Sequence, residues 1–121
     1  MTTAVTIGVG VFFLGMGVYA LVAPASLVRP FRIYIDSAEG RSEVRAVYGG
    51  FGVAIAALLF AVSLRDDEIR TGVLVTVGVA LAGMALGRVI SRLADRSTAF
   101  YPIWFYFLVE AVGAGVLFAV A

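Results

Sequence analysis

The chain has 121 residues, of which 62% are hydrophobic and 14% charged, with a formal net charge of +1. Ordinary globular domains are roughly 45–50% apolar and about 25% charged, so the polar coat of a water-soluble domain is missing, and so is the basic field that nucleic acid demands. Cysteine and histidine are absent, which excludes disulfides, thiolate nucleophiles, zinc sites built on those residues and imidazole acid–base chemistry.

Four apolar stretches, residues 3–23, 46–64, 71–93 and 101–121, each come close to the ~20 residues that a helix needs to cross a hydrocarbon core. Open strands cannot satisfy their backbone groups in lipid. The expected fold is therefore all-α: one integral membrane domain, a four-helix bundle of antiparallel up-down hairpins. Ala23-Pro24-Ala25 after the first stretch resembles a signal-peptide cleavage site, but no basic residue precedes it and the apolar run is too long for a signal core. It is read as a membrane helix.

The first connection mixes apolar residues with arginines. Phe31, Ile33 and Ile35 are expected to dip into the headgroup layer while Arg29 and Arg32 meet phosphate. The chain then turns through Gly40 into the second helix. On that helix Arg45, Gly49, Gly52 and Ala56 fall on one stripe at helical spacing, which points Arg45 into the bundle with Tyr48 one turn on. The second connection, Asp66-Asp67-Glu68, reads as a solvated helix start rather than a metal site. On the third helix Gly83 and Gly87 form a GxxxG pair expected to pack against a neighbour, as is Gly113 on the fourth. Pro102 suits the first turn of the fourth helix. Leu14-Gly15-Met16-Gly17 resembles Ala82-Gly83-Met84-Ala85, and Glu43 and Glu110 follow at similar distances, as in two duplicated hairpins.

Charges within apolar helices are costly and are usually paired or functional. Glu110 lies nine residues past Tyr101, about 14 Å along a helix and so near the bilayer midplane. Arg88 reaches toward the same depth. The candidate site is a polar pocket lined by Glu43, Arg45, Tyr48, Arg88, Tyr106 and Glu110, with the pairings Arg88–Glu110 and Glu43–Arg45 as the purely structural alternative. The first and third connections, counted with Arg92 at the adjoining helix end, carry six arginines against two in the second; these connections are expected in the cytoplasm and both termini outside. All five tyrosines and the single tryptophan lie toward the arginine-rich end.

Leu21-Val22-Ala23-Pro24, Phe31, the run from Arg41 through Glu43-Val44-Arg45-Ala46-Val47-Tyr48-Gly49 to Gly50, Ala85-Leu86-Gly87-Arg88 and Glu110 together resemble the domain-of-unknown-function family 4345. These are small four-helix membrane proteins of bacteria, loosely similar to the DoxX-like group. The resemblance implies a bacterial inner-membrane location and brings no established activity or cofactor. The function expected from the residues is binding of a lipid-like or amphipathic small molecule, its anionic head clamped by Arg45 and Arg88. Alternatives are a dimeric proton-coupled transporter using Glu110, or an accessory subunit contacting a membrane-protein partner. Small multidrug resistance proteins resemble the chain in size, but their essential glutamate is in the first helix, which is uncharged here. No catalytic residue is expected, since no nucleophile–base set or metal motif is present.

Overall fold

The computed structural model describes residues 1–121. It contains five helices: α1 (Thr2–Val22), the short α2 (Pro24–Val28), α3 (Ala38–Val62), α4 (Glu68–Ala94) and α5 (Phe100–Val120). There are no strands, and α1, α3, α4 and α5 are long and apolar enough to cross a membrane. The chain is an all-helical membrane protein. α1 packs chiefly on α3 and α4 chiefly on α5; the two hairpins then meet through α1 with α5 and α3 with α4. Phe13, Ala56, Leu59, Leu74, Leu81, Ala114 and Leu117 from all four long helices form the central core.

The hairpins repeat one another. Gly10 receives the ring of Phe60, and Gly78 receives the ring of Phe118; in each case a Cβ on the glycine would lie 2.6 Å from the ring. In the same register Phe13 corresponds to Leu81, Gly17 to Ala85, Ala56 to Ala114 and Leu59 to Leu117, and all of these are buried. This register matches the resemblance between the Met16 and Met84 segments. It does not match Glu43 with Glu110: the counterpart of Glu110 is Gly52, and that of Arg88 is Ala20.

Helix α3 begins well before the apolar run. The Ser37 hydroxyl accepts the Gly40 N–H at 3.0 Å, and Glu39 sits in the first turn, two standard favours to a helix start. Gly40 is thus part of the helix, not of a turn before it. Over Arg45–Gly50 the helix widens into a π-type turn. Such a turn consumes an extra residue and shifts every earlier side chain round the axis. The buried stripe consequently runs Val44, Gly49, Gly52, Ala56, Leu59, and Arg45 is turned out of it.

The glycine expectations divide. Gly49 and Gly52 pack against α1: a Cβ on Gly52 would lie 3.1 Å from the Gly17 Cα, and one on Gly49 would lie 2.7 Å from Leu21. Gly113 faces Leu81 of α4. Gly83 and Gly87 have nothing near them; their face of α4 points away from the bundle. The GxxxG spacing is satisfied, but the helix presents its other side inward through Leu74, Val77, Gly78, Leu81 and Ala85.

The two ends of the bundle differ in how they hold their arginines. At the end with the chain termini, Asp67 caps α4 by accepting the Arg70 N–H, and pairs with Arg65, while Arg70 pairs with Asp66 and donates to the Arg65 carbonyl oxygen. The Arg65 guanidinium, helped by the Arg70 N–H, holds the Asp67 carboxyl below the usual carboxylate range. At the opposite end the first connection folds back over the helices. Leu27 and Val28 of α2 are buried with Ala20 and Val44, and Arg32 turns the chain in the left-handed region at φ 60°. Phe31 packs on Tyr106 and Ile35 on this buried cluster, while Ile33 is exposed.

Candidate functional site

Within the second hairpin, Arg88 stands one turn beyond Met84 on α4, and Glu110 one turn beyond Tyr106 on α5. Their helices are adjacent and antiparallel, so the two charges come level. The Arg88 Nε donates to Glu110 Oε1 at 2.7 Å and Nη2 donates to Oε2 at 2.8 Å. This is the side-on, two-pronged arrangement that a guanidinium offers a carboxylate. The Glu110 side chain is 5% exposed and that of Arg88 21%. A pair so placed holds the two helices in register, and each partner is the condition for burying the other.

The guanidinium is also stacked among aromatic rings. Its carbon lies 5.7 Å from the centre of Phe31 and 5.8 Å from that of Tyr106, within the range at which a cation is attracted to a ring face. Phe31 and Tyr106 are themselves 5.4 Å apart. Beside the pair lies a mainly apolar cavity of about 130 Å³. Phe31, Tyr48 and Tyr106 line it, and so do Met16 and Met84, one methionine from each half of the repeat. The cavity therefore lies where the two hairpins face each other.

Four of the six residues expected at the site, Tyr48, Arg88, Tyr106 and Glu110, come together around this cavity. Glu43 and Arg45 do not. Arg45 is exposed and its Nε donates to the Leu21 carbonyl at 3.0 Å, closing one of the open carbonyls at the end of α1. Glu43 is exposed and makes no ion pair with it. The widened turn in α3 is the cause for Arg45, whose place on the inner stripe it gives to Val44, while Glu43 lies off that stripe in either geometry. Arg45 is thus not among the residues that line the cavity with Arg88.

Phe31, Met16 and Met84 were not expected at the site. The repeat carried the signal for the two methionines. Phe31 could not be found so directly, because its position depends on how the first connection folds back. The same repeat shows what is special about the site. In the first hairpin the corresponding positions hold Ala20 and Gly52, and helices α1 and α3 close on each other at Gly17 and Gly52. In the second they hold an ion pair beside a cavity.

The family described as "Domain of unknown function (DUF4345)" matches residues 1–121, the whole chain. The protein belongs to this family. No curated protein and no solved structure matches the chain. The positions that carried the resemblance in the sequence divide accordingly in this member of DUF4345: Tyr48, Arg88 and Glu110 surround the cavity, Gly49 packs α3 on α1, and Arg45 caps α1.

Proposed function

We propose that the protein is a membrane-embedded binding protein for a small amphipathic molecule whose buried end is polar but uncharged. The observation that carries this reading is the two-pronged Arg88–Glu110 pair in the wall of a mainly apolar cavity. Both carboxylate oxygens are engaged by one guanidinium, so the pair is neutral as a unit. A charged ligand group would be attracted by one partner and repelled by the other. A hydroxyl, carbonyl or amide meets no such opposition and finds partners in the tyrosine hydroxyls and the remaining guanidinium N–H groups. At about 130 Å³ the cavity is close to the ~150 Å³ of an engineered cavity that binds benzene, so it suits one ring or a short branched chain. Met16 and Met84 give it walls that adapt to shape. The rest of a longer molecule would leave past Tyr48 and Ile33, which are both exposed.

Native mass spectrometry of gently solubilised protein tests this. Wild type is expected to carry a stoichiometric small molecule, and Met84→Trp, which fills the cavity but keeps the ion pair, is expected to lose it while keeping its thermal stability. An adduct equally abundant in both proteins, or none in wild type, overturns the reading. Transport of protons through Glu110 has less support, because both of its carboxylate oxygens are engaged by the Arg88 guanidinium.

The arginine-rich end is proposed to face the cytoplasm, with both termini outside, on the strength of the six-to-two arginine asymmetry. The chain has no cysteine, so single Asp66→Cys and Ser97→Cys variants report directly. An impermeant maleimide added to intact cells is expected to label Asp66→Cys alone; labelling of Ser97→Cys alone reverses the orientation.

A further inference from the structure

The arginines of the third connection are not used by the ion pair. Arg92 follows Arg88 by one turn on α4, and Arg96 lies just past the extended residue Asp95 that ends the helix. With Ser91, Thr98 and Trp104 they line a groove of about 370 Å³ on the outer side of Arg88. Met84 and Arg88 form the wall it shares with the inner cavity. The charge of Arg88 is cancelled by Glu110. Neither Arg92 nor Arg96 has a carboxylate within ion-pair distance, and the neighbouring Asp95 carboxylate accepts the Arg96 backbone N–H at 2.8 Å. The opposite end of the bundle handles the same residue type differently: Arg65 and Arg70 are each neutralised by an aspartate. The groove thus concentrates two uncompensated guanidinium groups and two hydroxyls beside an apolar wall of Met84, Ile103 and Trp104.

Guanidinium groups take phosphate oxygens in pairs, and serine and threonine hydroxyls donate to the same oxygens. The negative end of the α4 dipole opposes an anion here. That end carries only about half a charge, and its effect fades within one turn, whereas Arg92 and Arg96 contribute two full charges. We infer that this groove binds the phosphate-ester group of an anionic amphiphile, with its apolar part against Trp104 and Ile103. The site is separate from the inner cavity and goes beyond the reading given for that cavity.

The single tryptophan of the chain lines the groove and serves as the reporter. The protein is placed in phosphatidylcholine nanodiscs doped with dibrominated phosphatidylglycerol or with dibrominated phosphatidylcholine, and quenching of Trp104 is followed. Two arginines near a membrane surface predict a preference of about tenfold for the anionic lipid after allowance for their exposure. The double variant Arg92→Gln/Arg96→Gln is expected to abolish that preference, and the equal charge change Arg29→Gln/Arg41→Gln at the same end is expected to retain it. Equal quenching by both lipids in wild type overturns the site. So does loss of the preference in the Arg29/Arg41 variant, which would mean general surface attraction. Relief of quenching by millimolar inorganic phosphate would support the groove with a soluble phosphate ester as its source; no relief supports the lipid headgroup. None of these readouts depends on the cavity test with Met84→Trp, so the two readings fail independently.

Discussion

Arg88→Ala is expected to destabilise the protein by about 3 kcal/mol, the low end of the cost of leaving one partner of a buried ion pair alone. The lower figure reflects the guanidinium, whose side chain is 21% exposed against 5% for that of Glu110. The loss arises mainly from Glu110, stranded in the middle of α5 with two unmet acceptors, and secondarily from the stacking of Phe31 and Tyr106 on the guanidinium. Glu110→Ala should cost a similar amount from the other side. The combined variant Arg88→Leu/Glu110→Leu is the informative one. Replacing a whole buried pair by apolar residues is often neutral or stabilising, so the double variant should recover most of the loss. Equilibrium unfolding of the four proteins in a mixed detergent, arranged as a double-mutant cycle, measures this directly. A double variant as unstable as the sum of the singles would mean that the two side chains act separately and that their hydrogen bonds matter little. If stability returns in the double variant and the bound molecule seen by mass spectrometry does not, the pair serves recognition beyond holding register.

This cycle also bears on why the pair was legible in the sequence while its surroundings were not. Glu110 stands out because it is the only charge in its apolar run, and Arg88 because it precedes the polar end of α4 by two turns. Spacing then brings Tyr106 to Glu110. The face that a helix turns inward is a different matter. In a water-soluble bundle, polar residues mark the outer face. Here the outer face meets lipid, so Leu, Val and Gly occur on every side, and only close approach separates inside from outside. Gly83 and Gly87 satisfy the usual small-residue spacing and face outward; Gly10, Gly17 and Gly78 lack that emphasis and are buried. Arg45 illustrates a second limit. Ideal α-helical spacing joins it to Gly49 and Gly52, but the widened turn over Arg45–Gly50 gives its place on the inner stripe to Val44. The sequence contains no obvious mark of that turn. Phe31 depends on a third, the folding of a long connection whose apolar residues could face either the bilayer or the bundle.

The outward glycines supply the second large contrast. Gly17→Val is expected to cost about 2–3 kcal/mol, in the range of overpacking a tight contact. A Cβ there would lie 2.8 Å from the Val53 nitrogen and 2.9 Å from the Gly49 oxygen. Both are backbone atoms of α3, so no side chain can move aside; the helices themselves must separate, and Gly52, which faces Gly17 across the same contact, is carried with them. Gly10→Val meets instead the far edge of the Phe60 ring, which can rotate, and should cost less. Gly83→Val meets nothing within the chain and should stay within ±0.5 kcal/mol, as surface changes usually do. Thermal unfolding of the three variants in the same detergent gives the order. If Gly83→Val proved as harmful as Gly17→Val, the empty space beside Gly83 and Gly87 would have to be filled in solution by a second helix. Dilution of the detergent-solubilised wild type would then have to lower its stability if that helix belongs to a second copy of this chain, and leave it unchanged if the cost arises within one copy.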